Sequence, residues 1–137
     1  MTTVQTYIEA IQDKIRVIDG IQAAPESLPD GARAFPFVVA YPGAGTIEHG
    51  PATGSMKFLE SIVVELHVAR KHLPRDYDQA VYYVYEIPNA IFSALIAQVV
   101  AFSNISSSGL IPMDYAGKAT LGFRWTVNNV KTISSCT

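Results

Sequence analysis

This sequence is short of charge. Of its 137 residues only 16% are charged, while 49% are hydrophobic. A soluble domain typically carries about 25% charged residues. A chain this poor in surface charge is expected to have part of its surface covered by a partner. The net charge is −2, and the densest basic cluster is Arg70, Lys71 and Arg75. That falls short of the basic stripe needed to grip phosphates, so specific nucleic-acid binding is not expected. Cys136 is the single cysteine, which excludes an intrachain disulfide and a paired-thiol redox centre. The longest apolar stretch, Ala90–Phe102, is interrupted by Ser93 and Gln98, and a bilayer span needs about 20 apolar residues. No basic region followed by an apolar run opens the chain, so no signal peptide is expected. The sequence therefore predicts a protein that is soluble and intracellular when made, with no membrane partner.

The residue patterns of common catalytic sites are missing as well. There is no GxSxG and no GxxxxGK[ST]. Gly43-Ala44-Gly45 follows a predicted strand, but no helix follows it, and a phosphate site needs free N–H groups at a helix N-terminus. His67 and His72 lack the helical spacing with which paired histidines hold zinc, and His67 is expected on the solvated face of a strand. Asp76 and Asp78 sit at a predicted helix start, where acids cap. Glu60 and Glu65 point to opposite faces of one strand. No catalytic, cofactor-binding or metal-binding residue is predicted, and no enzymatic function is expected.

What is present is strong periodicity. Val4, Ile8, Ile11, Ile15 and Ile18 alternate at spacings of four and three, which places them on one stripe of a helix over residues 3–19, ended by Gly20. Pro25, Pro29 and Gly31 mark a loop. Residues 35–41 read as a short strand buried on both faces. Residues 43–57, with four glycines and a proline, read as a long hairpin loop. Residues 58–69 alternate: Ile62, Val64, Leu66 and Val68 face the core, while Ser61, Val63, Glu65 and His67 face water. Pro74 opens a second helix, running to about Val99, with a kink or break expected at Pro88. A weaker strand over 105–113, a turn over 114–117 and a strong alternating strand through Phe123, Trp125 and Val127 complete the chain, with a short tail over 132–137. The result is one α+β domain: a four-stranded, mainly antiparallel sheet with two helices on one face, in the order α-β-β-α-β-β.

Val81-Tyr82-Tyr83-Val84-Tyr85 is apolar or aromatic right round a helix, yet a helix on an open sheet buries one face. Tyr82, Tyr83 and Tyr85 are therefore candidate interface anchors. Thr46, Ile47, Glu48, His49 and Met56 in the predicted hairpin loop are candidates for a second contact.

The succession AFPFVVAYPGAG, FLESIVVELHVARKHLPRDYDQAV, IFSALIA and YAGKATLGFRWTVNNV resembles the tail terminator, or tail completion, proteins of long-tailed bacteriophages over about residues 3–131. The resemblance lies in element order and texture. It implies a homo-oligomeric ring, usually of six subunits, that caps the tail tube protein, ends tube growth and meets the head-tail connector. DNA would pass through the lumen without specific binding. The place implied is the virion, after assembly in the host cytoplasm. A head-completion or neck ring protein is the alternative in the same class. A small non-enzymatic ligand-binding α+β domain, with a closed pocket between sheet and helices, is the alternative in another.

Overall fold

The computed structural model describes residues 4–18, 21, 24–25, 36–50, 54–70 and 77–135. Helix α1 spans Val4–Ile15 and strand β1 Phe37–Pro42. Strands β2 (Thr46–His49) and β3 (Ser55–Arg70) follow, then helix α2 (Tyr77–Ala97) and strands β4 (Asn104–Tyr115) and β5 (Lys118–Ser135). The α+β class, the two helices and the antiparallel sheet are as expected. The sheet has five strands instead of four, in the order β1-β3-β5-β4, with β2 pairing β3. The chain order is thus α-β-β-β-α-β-β.

The extra strand lies inside residues 43–57, expected to be a loop. β1 and β2 both pair antiparallel with β3, β1 from Phe37↔His67 to Pro42↔Ile62 and β2 from Thr46↔Leu59 to His49↔Met56. They are two parts of one edge, separated by a jog at Gly43–Gly45. Across the jog, Gly43 N–H donates to the Ser61 carbonyl at 2.7 Å, and Ser61 Oγ donates to the Ala44 carbonyl at 2.8 Å. The hairpin is real, but most of its length is ladder. The glycines had hidden the pairing by breaking the side-chain alternation.

β3 and β5 pair along their whole length, from Ser55↔Ser135 to Arg70↔Thr120. β5 therefore continues through residues 132–135, where a tail was expected. At the other end β4 and β5 join through Ala116 and Gly117, both at positive φ (52° and 81°). That is the backbone of a type I′ hairpin turn, whose twist matches the strands it joins.

The helices cover one face of this sheet. Ile8, Ile11 and Ile15 of α1 and Tyr83, Ile87, Ile91 and Leu95 of α2 pack on Ile62, Val64, Leu66, Phe123, Trp125 and Val127. Gln12 is buried among them, and its Nε2 donates to the Val38 carbonyl at 3.0 Å and the Pro25 carbonyl at 2.8 Å. It ties α1 to β1. The expected stripe is correct, although α1 ends at Ile15 and not near Asp19; Gly20 lies outside the described residues. Helix α2 runs unbroken through Pro88. Its end carries two bonds, Val99 N–H to the Ile96 carbonyl and Val100 N–H to the Leu95 carbonyl, both 3.0 Å. This is a Schellman cap. The residue it holds at left-handed φ is Val99 (55°), in place of the usual glycine, at a cost of about 1–2 kcal/mol.

Two substitutions test this packing. Trp125→Ala should lower stability by about 3–5 kcal/mol in urea denaturation, because a fully buried indole leaves a cavity. Gly122→Ala should cost about 1–3 kcal/mol, since an added Cβ falls 1.8 Å from the Leu66 carbonyl oxygen and the central ladder must shift to admit it.

Candidate functional site

Two kinds of feature bear on function: exposed apolar surface, and a polar cluster on the sheet face away from the helices.

The surface divides between the hairpin and α2. Thr46, Ile47, Glu48, His49 and Met56 are all exposed, so the loop candidates form the tip of a β-structured tongue. Cross-strand register sets their sides. His49 lies opposite Met56, and Ile47 opposite Phe58. In β3 the even-numbered residues face the helices, as Ile62, Val64 and Leu66 do. Ile47, His49, Met56 and Phe58 therefore continue the core-facing side of the sheet. Among the described residues the helix-side core takes no side chain from β2 or from β3 before Ile62. Thr46 and Glu48 lie on the other side, where Glu48 stands 3.9 Å from Lys57. The tongue thus presents a core-type face with neither described helix over it, and Ile47 is 66% exposed.

On α2 the three tyrosines part company. Tyr85 is 70% exposed and Tyr82 about half exposed. Tyr83 is fully buried in the core, which corrects its assignment as an interface anchor: its position faces the sheet, and the ring is used there. The Val81 side chain lies outside the described residues. Phe92, Ile96 and Val99, not singled out from the sequence, are also exposed.

The polar cluster corrects a second expectation. Glu65 and His67 were placed on a wet face, but both are buried, His67 completely. The reason is local. Phe37 of β1 stacks on the His67 ring at 4.7 Å, and Tyr115 of β4 meets both rings edge-on. With Val39 these form a small second core. Alternation identifies a face, but not what neighbouring strands lay over it. Glu65 is the hub. Its Oε2 accepts from Tyr41 Oη at 2.5 Å and Arg124 Nε at 3.0 Å, and its Oε1 lies 3.2 Å from His67 Nε2. His67 Nδ1 lies 2.6 Å from Thr120 Oγ1. Facing a carboxylate, Nε2 carries the hydrogen, so in the neutral tautomer Nδ1 accepts from the Thr120 hydroxyl.

The sequence hydroxyl–imidazole–carboxylate has the order of a nucleophile, a base and its orienting acid. The Thr120 side is closed, however: the residue is 2% exposed, and a reacting carbon cannot approach its oxygen. The cluster locks β1, β3 and β5 together. Burial pushes the Glu65 carboxyl up, but hydrogen bonds from His67, Tyr41 and Arg124, with the guanidinium charge, outweigh it and hold the carboxyl down at about 2. Burial, together with the bond to Glu65 and its charge, pushes the Tyr41 phenol up to about 12.

No group of three or more His, Cys, Asp or Glu side chains among the described residues is arranged to hold a metal ion. His72, weighed as a partner of His67, lies outside those residues. Glu60 and Glu65 do point to opposite sheet faces, since Glu60 pairs with core-facing Val130 and Glu65 with Arg124. No described helix is long and apolar enough to cross a membrane. Comparison of the chain with known protein families and with curated proteins gives no match.

Glu65 sets a pH dependence. Its folded value lies below the ordinary value of 4.5, so its stabilisation is complete above about 4.5 and is lost as pH falls towards 2. The unfolding free energy from urea titrations should fall by an amount on the order of 2 kcal/mol between pH 6 and pH 2.5. Glu65→Gln should start lower at neutral pH and lose much of that slope.

Proposed function

We propose that this chain is a non-enzymatic structural protein of a bacteriophage tail, a tail terminator that assembles as a ring on the last layer of tail tube protein. One observation carries the reading beyond the likeness in sequence texture. The β2–β3–β5 tongue continues the core-facing side of the sheet past the end of the helices, with Ile47, Met56 and Phe58 on that side. Leaving such a face in water forgoes about 25 cal/mol per Å² of apolar area, and a neighbouring subunit or the tube recovers it. A closed ring needs two different patches on every subunit. The tongue supplies one, and a complementary surface on the next subunit receives it. Scarce charge fits a protein that spends its working life assembled. The net charge of −2 fits a lumen along which DNA slides without being gripped.

In this reading the ring number is six, and the second ring surface meets the head-tail connector. The neck or head-completion role differs in phenotype: loss of a terminator gives tails of irregular length, while loss of a neck protein gives normal tails detached from heads.

Native mass spectrometry and negative-stain images of the purified protein, alone and with the tail tube protein, test the proposal. The expected result is a ring of about six 14.9 kDa subunits. Ile47→Asp with Met56→Asp should abolish the ring and leave helix and strand content unchanged by circular dichroism. A native chain that stays monomeric at high concentration, with and without tube protein, overturns the reading.

A further inference from the structure

The exposed apolar residues of α2 are not scattered. Tyr82, Tyr85, Phe92 and Ile96, continued by Val99 just past the helix end, are between 45 and 92% exposed. With Asn89, also exposed, their spacing is three, four, three, four, three. That is an a/d heptad seam, the pattern by which helices pair with other helices. It lies opposite the face that Tyr83, Ile87, Ile91 and Leu95 bury against the sheet, and the core among the described residues takes none of its side chains. No charged residue interrupts the stripe.

We infer that this seam pairs with the same seam of a second copy of the chain, helices antiparallel, about a two-fold axis at Asn89. The spacing reads nearly the same in both directions from Asn89. Antiparallel pairing therefore sets Tyr82 against Ile96, Tyr85 against Phe92, and Asn89 against its own counterpart. The stripe is self-complementary, as a two-fold contact requires. Two facing amides can exchange hydrogen bonds, and a single polar residue in such a seam fixes register. Opposed helix dipoles also favour the antiparallel arrangement.

Area supports the same occupant. With aromatic side chains contributing about 150–250 Å² each, the exposed parts of the five apolar residues amount to roughly 500–600 Å² per chain. That is at the upper end of the largest patch on an ordinary monomer. Two copies together bury roughly 1,000–1,200 Å², the threshold of a specific interface. The groove beside the seam adds Val17, and its lining carries Lys14 and Glu86, one cation and one anion. Two facing copies can thus match opposite signs at their margins.

Two details of the seam are pre-set. Phe92 rests edge-on against Phe102, ring centres 6.1 Å apart, which fixes its ring before any partner arrives. Val99 stands at φ 55° with 92% of its surface exposed, where glycine would sit without strain. Inside the monomer its side chain gains nothing for that strain; against a partner helix it adds apolar area.

The inference does not rest on the ring reading, because a two-fold contact closes at two subunits and a ring does not. In a Cys136→Ser background, Asn89→Cys should form a disulfide-linked dimer under mild oxidation, since residues on the axis face each other. Phe92→Glu with Ile96→Glu should shift the dimer to single-subunit mass in sedimentation velocity, weakening it at least a hundredfold. Val99→Gly should raise the melting temperature of the monomer and weaken the dimer several-fold. A folded Asn89→Cys chain that does not crosslink, in a protein whose mass is unmoved by the glutamates, overturns the inference. If rings form in that case, the ring reading stands without it. Crosslinked dimers with no ring leave the inference standing and sink the ring.

Discussion

The long β3–β5 ladder is the constraint on which the other parts depend. β3 alone, at 16 residues and roughly 3.3 Å each, spans about 50 Å. β1 and β2 share one of its edges, and β4 runs beside β5. The helices find their platform where Ile62–Leu66 meets Phe123–Val127. Because two helices cannot cover so long a ladder, its distal part is left as a tongue. Core and tongue are thus consequences of one pairing, whose register is held by the two-faced burial of its central residues.

That pairing is secured from the second face by Glu65. A buried carboxylate is costly unless it is paired and hydrogen-bonded, and this one takes partners from three strands. Tyr41 comes from β1, Arg124 from β5, and His67 from its own strand. Breaking one bond leaves the carboxylate short of a partner, so the strands are held in the alignment that supplies all three. Thr120 also pairs with Met113 across the β4–β5 ladder, which carries the constraint on to β4.

The parts of the fold legible in the sequence were those with one dominant period. The isoleucine stripe gave α1, and Phe123, Trp125 and Val127 gave the core side of β5. Two features were not legible. The Gly43–Gly45 jog put β2 out of step with β1, and local alternation cannot register a strand that changes step. The burial of Glu65 and His67 depends on Phe37 and Tyr115, which lie 30 and 48 positions from His67 in the chain and meet it only through sheet pairing. Of the surface candidates, Tyr82 and Tyr85 were legible as excess apolar character, and the hairpin residues by their place in the glycine-rich stretch 43–57. Tyr83 was misassigned because a helix that is apolar all round does not declare its inner face. Phe92 and Ile96 carried a readable signal, the heptad spacing through Asn89, which emerges only when α2 is taken as unbroken across Pro88.

That continuity has a physical consequence. A proline in mid-helix removes one hydrogen bond and typically costs about 3 kcal/mol, so α2 stays continuous by virtue of packing. Tyr83, Ile87, Ile91 and Leu95 bracket Pro88 and fasten the helix to the sheet on both sides of it. A break there would have split the outer stripe into two short patches, neither long enough to present a seam. The core side of α2 therefore sets the geometry of its solvent side. The same anchoring that completes the monomer's interior holds Tyr82, Tyr85, Phe92 and Ile96 in one line. In α2 and in the β3-backed tongue the exposed apolar side chains are ordered along an element whose rigidity is supplied from beneath.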